Sequence, residues 1–336
     1  MFAEFVIFLT NNLSNKTILI KNKTMKTKRF LLAVGALVLL VLPMSANRWD
    51  VNNDGTVNAA DVTALYNYIL NGDETFLATS DVNGDGAVNA ADVTAVYNVI
   101  LNGMPSDKTE YTVNGVTFVM VNVEGGTFMM GVNAGDTEAY EDEEPNHQVT
   151  VSSFSIGQTE VTQELWKAVM GWNYSGHSGS LQFPVEYVNW DMCQTFITKL
   201  NEMTGMSFRF PTEAEWEFAA RGGNKSKNYL YSGSNNLDDV AWYVDNSEGC
   251  THIVATKAPN ELDIYDMSGN VWEWCSDLYG AYGSSAQTNP TGAESGAERV
   301  LRGGSWSDPA SNSRVSKRFK APTGFGDNDI GLRLAL

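Results

Sequence analysis

The 336-residue chain carries 40 Asp and Glu against 22 Lys and Arg, a formal net charge of −18. Such an excess of acid argues against nucleic acid and anionic lipid surfaces as partners and suits cation binding. With 43% apolar and 11% aromatic residues the chain can build packed cores, and its length allows two modest domains.

Residues 1–24 read as a leader from an upstream start. From Met25 the pattern is that of a signal peptide over 25–46. Lys26, Lys28 and Arg29 precede an unbroken apolar run of 13 residues, Phe30 to Leu42, and Met44-Ser45-Ala46 ends on a small residue after Pro43. A transmembrane helix needs about 20 apolar residues, so no membrane span is expected after cleavage behind Ala46. No cysteine stands there to carry a lipid. The expected location is secreted, periplasmic or cell-surface.

Residues 47–103 contain two nearly identical segments 31 positions apart, DVNNDGTVNAADVTALYNYILNG and DVNGDGAVNAADVTAVYNVILNG. Oxygen-bearing residues fall at loop positions 1, 3, 5, 9 and 12. These are Asp50, Asn52, Asp54, Asn58 and Asp61, then Asp81, Asn83, Asp85, Asn89 and Asp92. Thr56 and Ala87 supply backbone carbonyls at position 7, and glycine at position 6 permits the sharp turn. A hard cation wanting six to eight oxygens is served by this spacing, so calcium is the expected cofactor. After each loop, apolar residues recur at helical spacing: Val62, Leu65, Tyr66, Ile69 and Val93, Val96, Tyr97, Ile100.

Residues 104–110 form a polar linker with Pro105. From 111 to 336 short strand-like runs such as 116–121 alternate with glycine turns. Helices are expected at 163–170 and 191–203, and a third opens at Thr212, with Glu215 completing a capping box. An irregular α+β domain follows. Glu213, Glu215 and Glu217 read as acids favoured by the helix dipole. His147, His177 and His252 are scattered, without HExxH spacing, and no GxSxG marks a nucleophile. Cys193, Cys250 and Cys275 lack CxxC spacing, and one disulfide among them is possible.

The paired loop–helix units, with Asp at position 12, resemble type I dockerins. That resemblance implies a pseudo-twofold calcium module docking to a cohesin-like protein through loop positions 10 and 11, here Ala59-Ala60 and Ala90-Ala91. In the second domain the phrases GGTFMMG, DEEPNHQVTVSSFSIGQTEVT, PVEYVNW, FRFPTEAEWEFAARGG, NELDIYDMSGNVWEWCSD, RVLRGGSW and IGLRLAL occur in order. Together they resemble the formylglycine-generating-enzyme, or sulfatase-modifying-factor, family. The resemblance implies that family's variant of the C-type-lectin-like fold, joined here to a small all-α dockerin.

Active members of that family use two copper-binding cysteines just after the GGS-aromatic motif. Those positions hold Asp308 and Ser313, neither of which offers the soft thiolate that Cu(I) prefers. Copper and formylglycine generation are therefore not expected. The resemblance also implies structural calcium held by Asp266, Gly269, Val271 and Glu273.

The leading functional reading is an exported ligand-binding protein, its ligand a protein or a glycan. Trp306, Ser307, Asp308, Asn312, Arg318, Phe319, Phe325 and Asp327 form its expected recognition surface. The same segment resembles the hypervariable region of proteins diversified by retroelements. Two alternatives stay open: a formylglycine-generating-type oxidase acting on sulfatases, and a component of a cellulosome-like polysaccharide system.

Overall fold

The computed structural model describes residues 49–54, 56–72, 80–82, 87–102, 107–133 and 136–336. The expected leader and signal peptide, with Asn83 and Asp85, lie outside them. No helix among the described residues is long and apolar enough to cross a membrane.

Two matched helices form the first module: α1 (Ala59–Asn71) and α2 (Ala90–Asn102). Asn58 caps α1, its side chain accepting from the Ala60 N–H at 2.8 Å, and Gly72 closes it in the left-handed region at φ 67°. Val51, Val62, Leu65, Val82, Val93 and Val96 pack together as the module's core. Tyr66, Tyr97 and Ile100, expected on the same buried faces, are exposed together with Leu70 and Leu101. Each apolar stripe is thus wider than the face its partner helix can cover.

The second domain comprises β1 (Lys108–Val113), β2 (Val116–Val123), β3 (Gly126–Met130), β4 (His147–Val151), β5 (Phe154–Gly157), α3 (Gln163–Met170), α4 (Trp190–Thr204), α5 (Glu213–Ala220), α6 (Leu237–Val240), β6 (Trp272–Leu278), β7 (Gln287–Thr288), β8 (Glu298–Arg302), β9 (Arg318–Pro322) and β10 (Ile330–Leu332). The expected helices are present. Asn189 caps α4 one residue earlier than anticipated, accepting from the Met192 N–H. Thr212 and Glu215 form the capping box of α5. Three sheets run β1-β2-β5, β3-β4-β7 and β10-β6-β8-β9.

The four-stranded sheet separates two cores because successive side chains on a strand point to opposite faces. Trp272 and Trp274 of β6 join Leu301, Ile330 and Leu332 in one core with α3 and α4, where Trp166 stacks on Phe196 at 4.9 Å. Cys275 and Val300 join the other, with Trp216 and Phe218 of α5. The same alternation on β9 buries Arg318 (2% exposed) and exposes Phe319. Arg318 therefore does not belong to the recognition surface expected of it.

Candidate ligand-binding site

The loops after β8 and β9 meet on the Trp272 side of the four-stranded sheet. Asp308 is gripped there by three donors. Trp272 Nε1 and Ser305 Oγ reach its Oδ2 at 2.8 and 2.5 Å, and Asn312 Nδ2 reaches Oδ1 at 2.6 Å. Trp306 donates from Nε1 to the Asn328 carbonyl at 3.1 Å and packs edge-on against His177 at 5.0 Å. Phe319 lies 5.3 Å from the Trp272 ring, and Phe319 and Phe325 are about half exposed. Ser307 is exposed and its Oγ reaches Asp329 Oδ2 at 3.3 Å. The Asp327 carbonyl accepts from Tyr187 N–H at 2.9 Å, fixing this loop to the segment before α4. Seven of the eight expected surface residues thus share one loop cluster, Arg318 being the exception.

Residues that pattern reading passed over complete the cluster. Asp329 accepts from Ser305 and Ser307, and its carboxyl is pushed up by burial and by the charges of Asp308 and Asp327. Glu186, in the PVEYVNW phrase, is buried and accepts from the His177 N–H at 2.8 Å. Burial and the charges of Asp327 and Asp329 push it up to about 7. The only signal for Glu186 in the sequence is an acid set among apolar residues.

Behind the loops, buried ion pairs brace the domain. Arg318 grips Glu213 through Nε–Oε1 at 2.6 Å and Nη2–Oε2 at 2.9 Å. Arg302 and Arg221 both pair with Glu217. Arg314 pairs with Glu143 and Asp136, while Glu215 meets the partly exposed Arg209 nearer the surface. Each α5 acid therefore has its own arginine, a stronger partner than the helix dipole expected for it. Asp277 accepts from the Glu213 N–H at 2.9 Å and is pushed up to about 7 by burial and by the Glu213 charge. His147 opens β4, its Nδ1 3.1 Å from the Pro145 carbonyl and its ring against Tyr282.

The expected structural cation site differs from its anticipated form. Both oxygens of Glu273 accept from Arg333 Nε, at 3.0 and 2.9 Å, and Trp216 Nε1 adds a bond at 2.6 Å. The positive partner of Glu273 is thus a guanidinium. Asp266 Oδ2 accepts from the Ala255 N–H at 2.7 Å, while Oδ1 is buried without a partner. Gly269 and Val271 flank Asn270, which with the Val271 N–H donates to Glu160. Burial, then the charges of Asp266 and Glu273, push Glu160 well up, and Asp266 stands at about 6. Asp266 retains a free oxygen for a cation and Glu273 does not.

In the first module Asp61 and Asp92 are buried and turned into their loops. Asp61 accepts from the Asn52 and Asn58 N–H groups at 3.1 and 2.8 Å, and Asp92 from Asn89 N–H at 2.8 Å. Asp50 Oδ1 accepts from Asp54 N–H at 3.1 Å, and Asp54 is held below the usual carboxylate range by hydrogen bonds from Thr56. Asp50, Asn52, Asp54, Asn58 and Asp61 are thus linked by hydrogen bonds around one loop. Across the described residues no three His, Cys, Asp or Glu side chains converge closely enough to hold a metal ion. Ala59, Ala60, Ala90 and Ala91 are all exposed.

Of the copper-thiolate positions, Asp308 accepts the three bonds given above, and Ser313 Oγ is buried without a partner. Cys193, Cys250 and Cys275 are all free thiols, and burial pushes Cys193 and Cys275 well up. A thiol kept protonated is a poor metal ligand.

These features define an α+β domain of the formylglycine-generating-enzyme variant of the C-type-lectin-like fold, preceded by a paired loop–helix module. Residues 112–336 match the sulfatase-modifying factor enzyme 1-like domain, and the chain belongs to that family; residues 48–111 match the dockerin type I domain. Treponema denticola variable protein 1 is similar in structure, with a TM-score of 0.62 and 35% identity over 69% of this chain and 99% of that one. PvdO from Pseudomonas aeruginosa shares the fold at a TM-score of 0.57 and 24% identity, over 68% of this chain and 97% of that one. Among curated relatives, the chaperone protein LppX of Paenibacillus barcinonensis is 34% identical over 64% of this chain and 88% of its own length. The inactive C-alpha-formylglycine-generating enzyme 2 of Bos taurus is 28% identical over 66% of this chain and 89% of its own.

Proposed function

We propose that this is an exported, calcium-binding protein whose C-terminal domain is a non-catalytic ligand-binding module, placed by its dockerin on a cohesin-like partner. The carrying observation is the loop cluster from Trp306 to Asp329. It exposes aromatic, acidic and hydroxyl groups on a scaffold braced by buried arginine pairs. Rigid presentation of mixed side chains on loops is the physics of a recognition surface. Asp308 and Ser313 at the thiolate positions support the non-catalytic reading, because Cu(I) chemistry needs soft sulfur ligands. Similarity to a variable protein and to a relative named inactive supports it from a second direction. Asp50, Asp54 and Asp61 in one loop support calcium there, and exposed alanines at 59, 60, 90 and 91 support a flat docking face.

The test joins metal content to turnover. The purified chain is given calcium and, under reducing conditions, Cu(I), and is assayed for aldehyde formation on a sulfatase-type cysteine peptide. Bound calcium, no tight copper and no aldehyde are expected, and protein and glycan arrays then identify the ligand. Tight copper with turnover would replace this reading by the oxidase.

A further inference from the structure

Glu143, Glu213, Glu217 and Glu273 are deeply buried, and each lies against its own arginine: Arg314, Arg318, Arg302 and Arg333. This is the ordinary rule, since a buried charge is costly unless paired. In the loop cluster the buried Glu186 departs from it, as Glu160, Asp266 and Asp277 do elsewhere in the domain. Among the described residues, Asp308, Asp327, Asp329 and Glu186 have no Lys or Arg within ion-pairing distance. The nearest ionisable partner of Glu186 is His177 Nδ1 at 3.7 Å, too long for a hydrogen bond. Asp308 and Asp329 are held by neutral indole, amide and hydroxyl donors. Lys317 reaches Asp308 only by its field: its ammonium sits 3.3 Å over the Tyr140 ring, with Asp142 and Glu143 acting on it more strongly.

A second observation is independent of the charge count. The Glu186 side chain is 0% exposed, yet its Oε2 has no hydrogen-bond partner, and His177 Nδ1 beside it has none either. The charges of Asp327 and Asp329 act on Glu186, and those of Asp308 and Asp327 act on Asp329, so the four carboxylates share one field. They do not converge closely enough to coordinate a metal ion. They suit a cation with spread charge and several donors. Trp306, packed on His177, and the half-exposed Phe319, over Trp272, are aromatic groups of the same loop cluster, of the kind on which a planar guanidinium stacks.

We propose that the loop cluster carrying Asp308, Asp327 and Asp329, with Glu186 buried beneath them, seats a basic side chain, arginine in the first instance, of a protein ligand. The inference rests on the ligand-binding reading above and narrows it to a cationic protein surface.

The experiment uses the full chain with its dockerin module and a labelled peptide holding one arginine among glycine and serine, against the same peptide with citrulline. Binding is followed by anisotropy at low and high salt. The arginine peptide is expected to bind at least about tenfold tighter, and Asp327→Asn, Asp329→Asn and Glu186→Gln each to erase most of that margin, a difference of about 1.4 kcal/mol. Near-UV circular dichroism selects the variants that retain the native fold. Equal affinity for the two peptides, or an arginine preference untouched in all three folded variants, would overturn the proposal. Agmatine binding as tightly as the peptide would also overturn it, in favour of a free amine ligand. A neutral glycan or acidic protein from the arrays, bound through Trp306, would overturn this inference and leave the ligand-binding reading standing. No ligand at all, with Trp306→Ala and the acid variants without effect, would remove both.

Discussion

The Trp272 indole N–H donates to the Asp308 carboxylate at 2.8 Å, joining the first residue of β6 to the loop after β8. Asp308 occupies a position where related enzymes are expected to carry a copper thiolate, and here the residue ties down the loop after β8. Replacing Asp308 and Ser313 together by Cys should create a Cu(I) site absent from the parent. Competition with a chromophoric Cu(I) chelator would measure it, and equal copper uptake by both proteins would contradict the assignment.

The Arg333–Glu273 pair is fully buried. Arg333→Ala leaves Glu273 charged and without its partner, and should destabilise the domain by about 3–5 kcal/mol. Urea unfolding gives the value. Replacing both residues by Met should recover much of the loss, since the burial penalty of both charges disappears with them.

Asp277 carries a carboxyl pushed from an ordinary 3.8 up to about 7 by burial and Glu213. The folded state therefore holds its proton more tightly than the unfolded chain. The stability linked to this group is whole below the ordinary carboxylate range and is lost as pH rises through about 7. Asp277→Asn keeps an acceptor for the Glu213 N–H and removes the charge. It should raise the melting temperature at pH 8 and leave it nearly unchanged at pH 4, a gain at the upper pH of roughly 1–4 kcal/mol.

Removing calcium with a chelator should lower the unfolding temperature of the loop–helix module selectively. Asp61→Ala and Asp92→Ala should each remove one calcium equivalent by titration calorimetry, because each supplies the closing carboxylate of one loop. Asp61→Ala also removes half of a capping box, about 1 kcal/mol of helix stability without metal. An unchanged stoichiometry in either variant would count against loop binding.

Much of the architecture is legible along the chain because its causes are local. A cap such as Thr212 with Glu215 acts over one turn, and a ligand loop such as Asp50 to Asp61 closes on itself. The pairing of charges is not local. Arg314 meets Glu143 across 171 positions, and Arg318 meets Glu213 across 105. Arg318 and Phe319 look equally fit for a surface in sequence, and the pleat of β9 sends one inward and the other out. Asp329 and Glu186 stayed invisible because what distinguishes them is the partner they lack.

By itself, the sequence determined the two loop–helix repeats, the caps, the family motifs and the absence of cysteines at positions 308 and 313. Only the tertiary structure decided which acids are neutralised. Glu273 lies against Arg333, while Glu186 shares a field with Asp327 and Asp329 that no neighbouring arginine balances. The reason is physical: the strength of an ion pair depends on distance and burial, and both are set by segments that meet only when the sheets assemble.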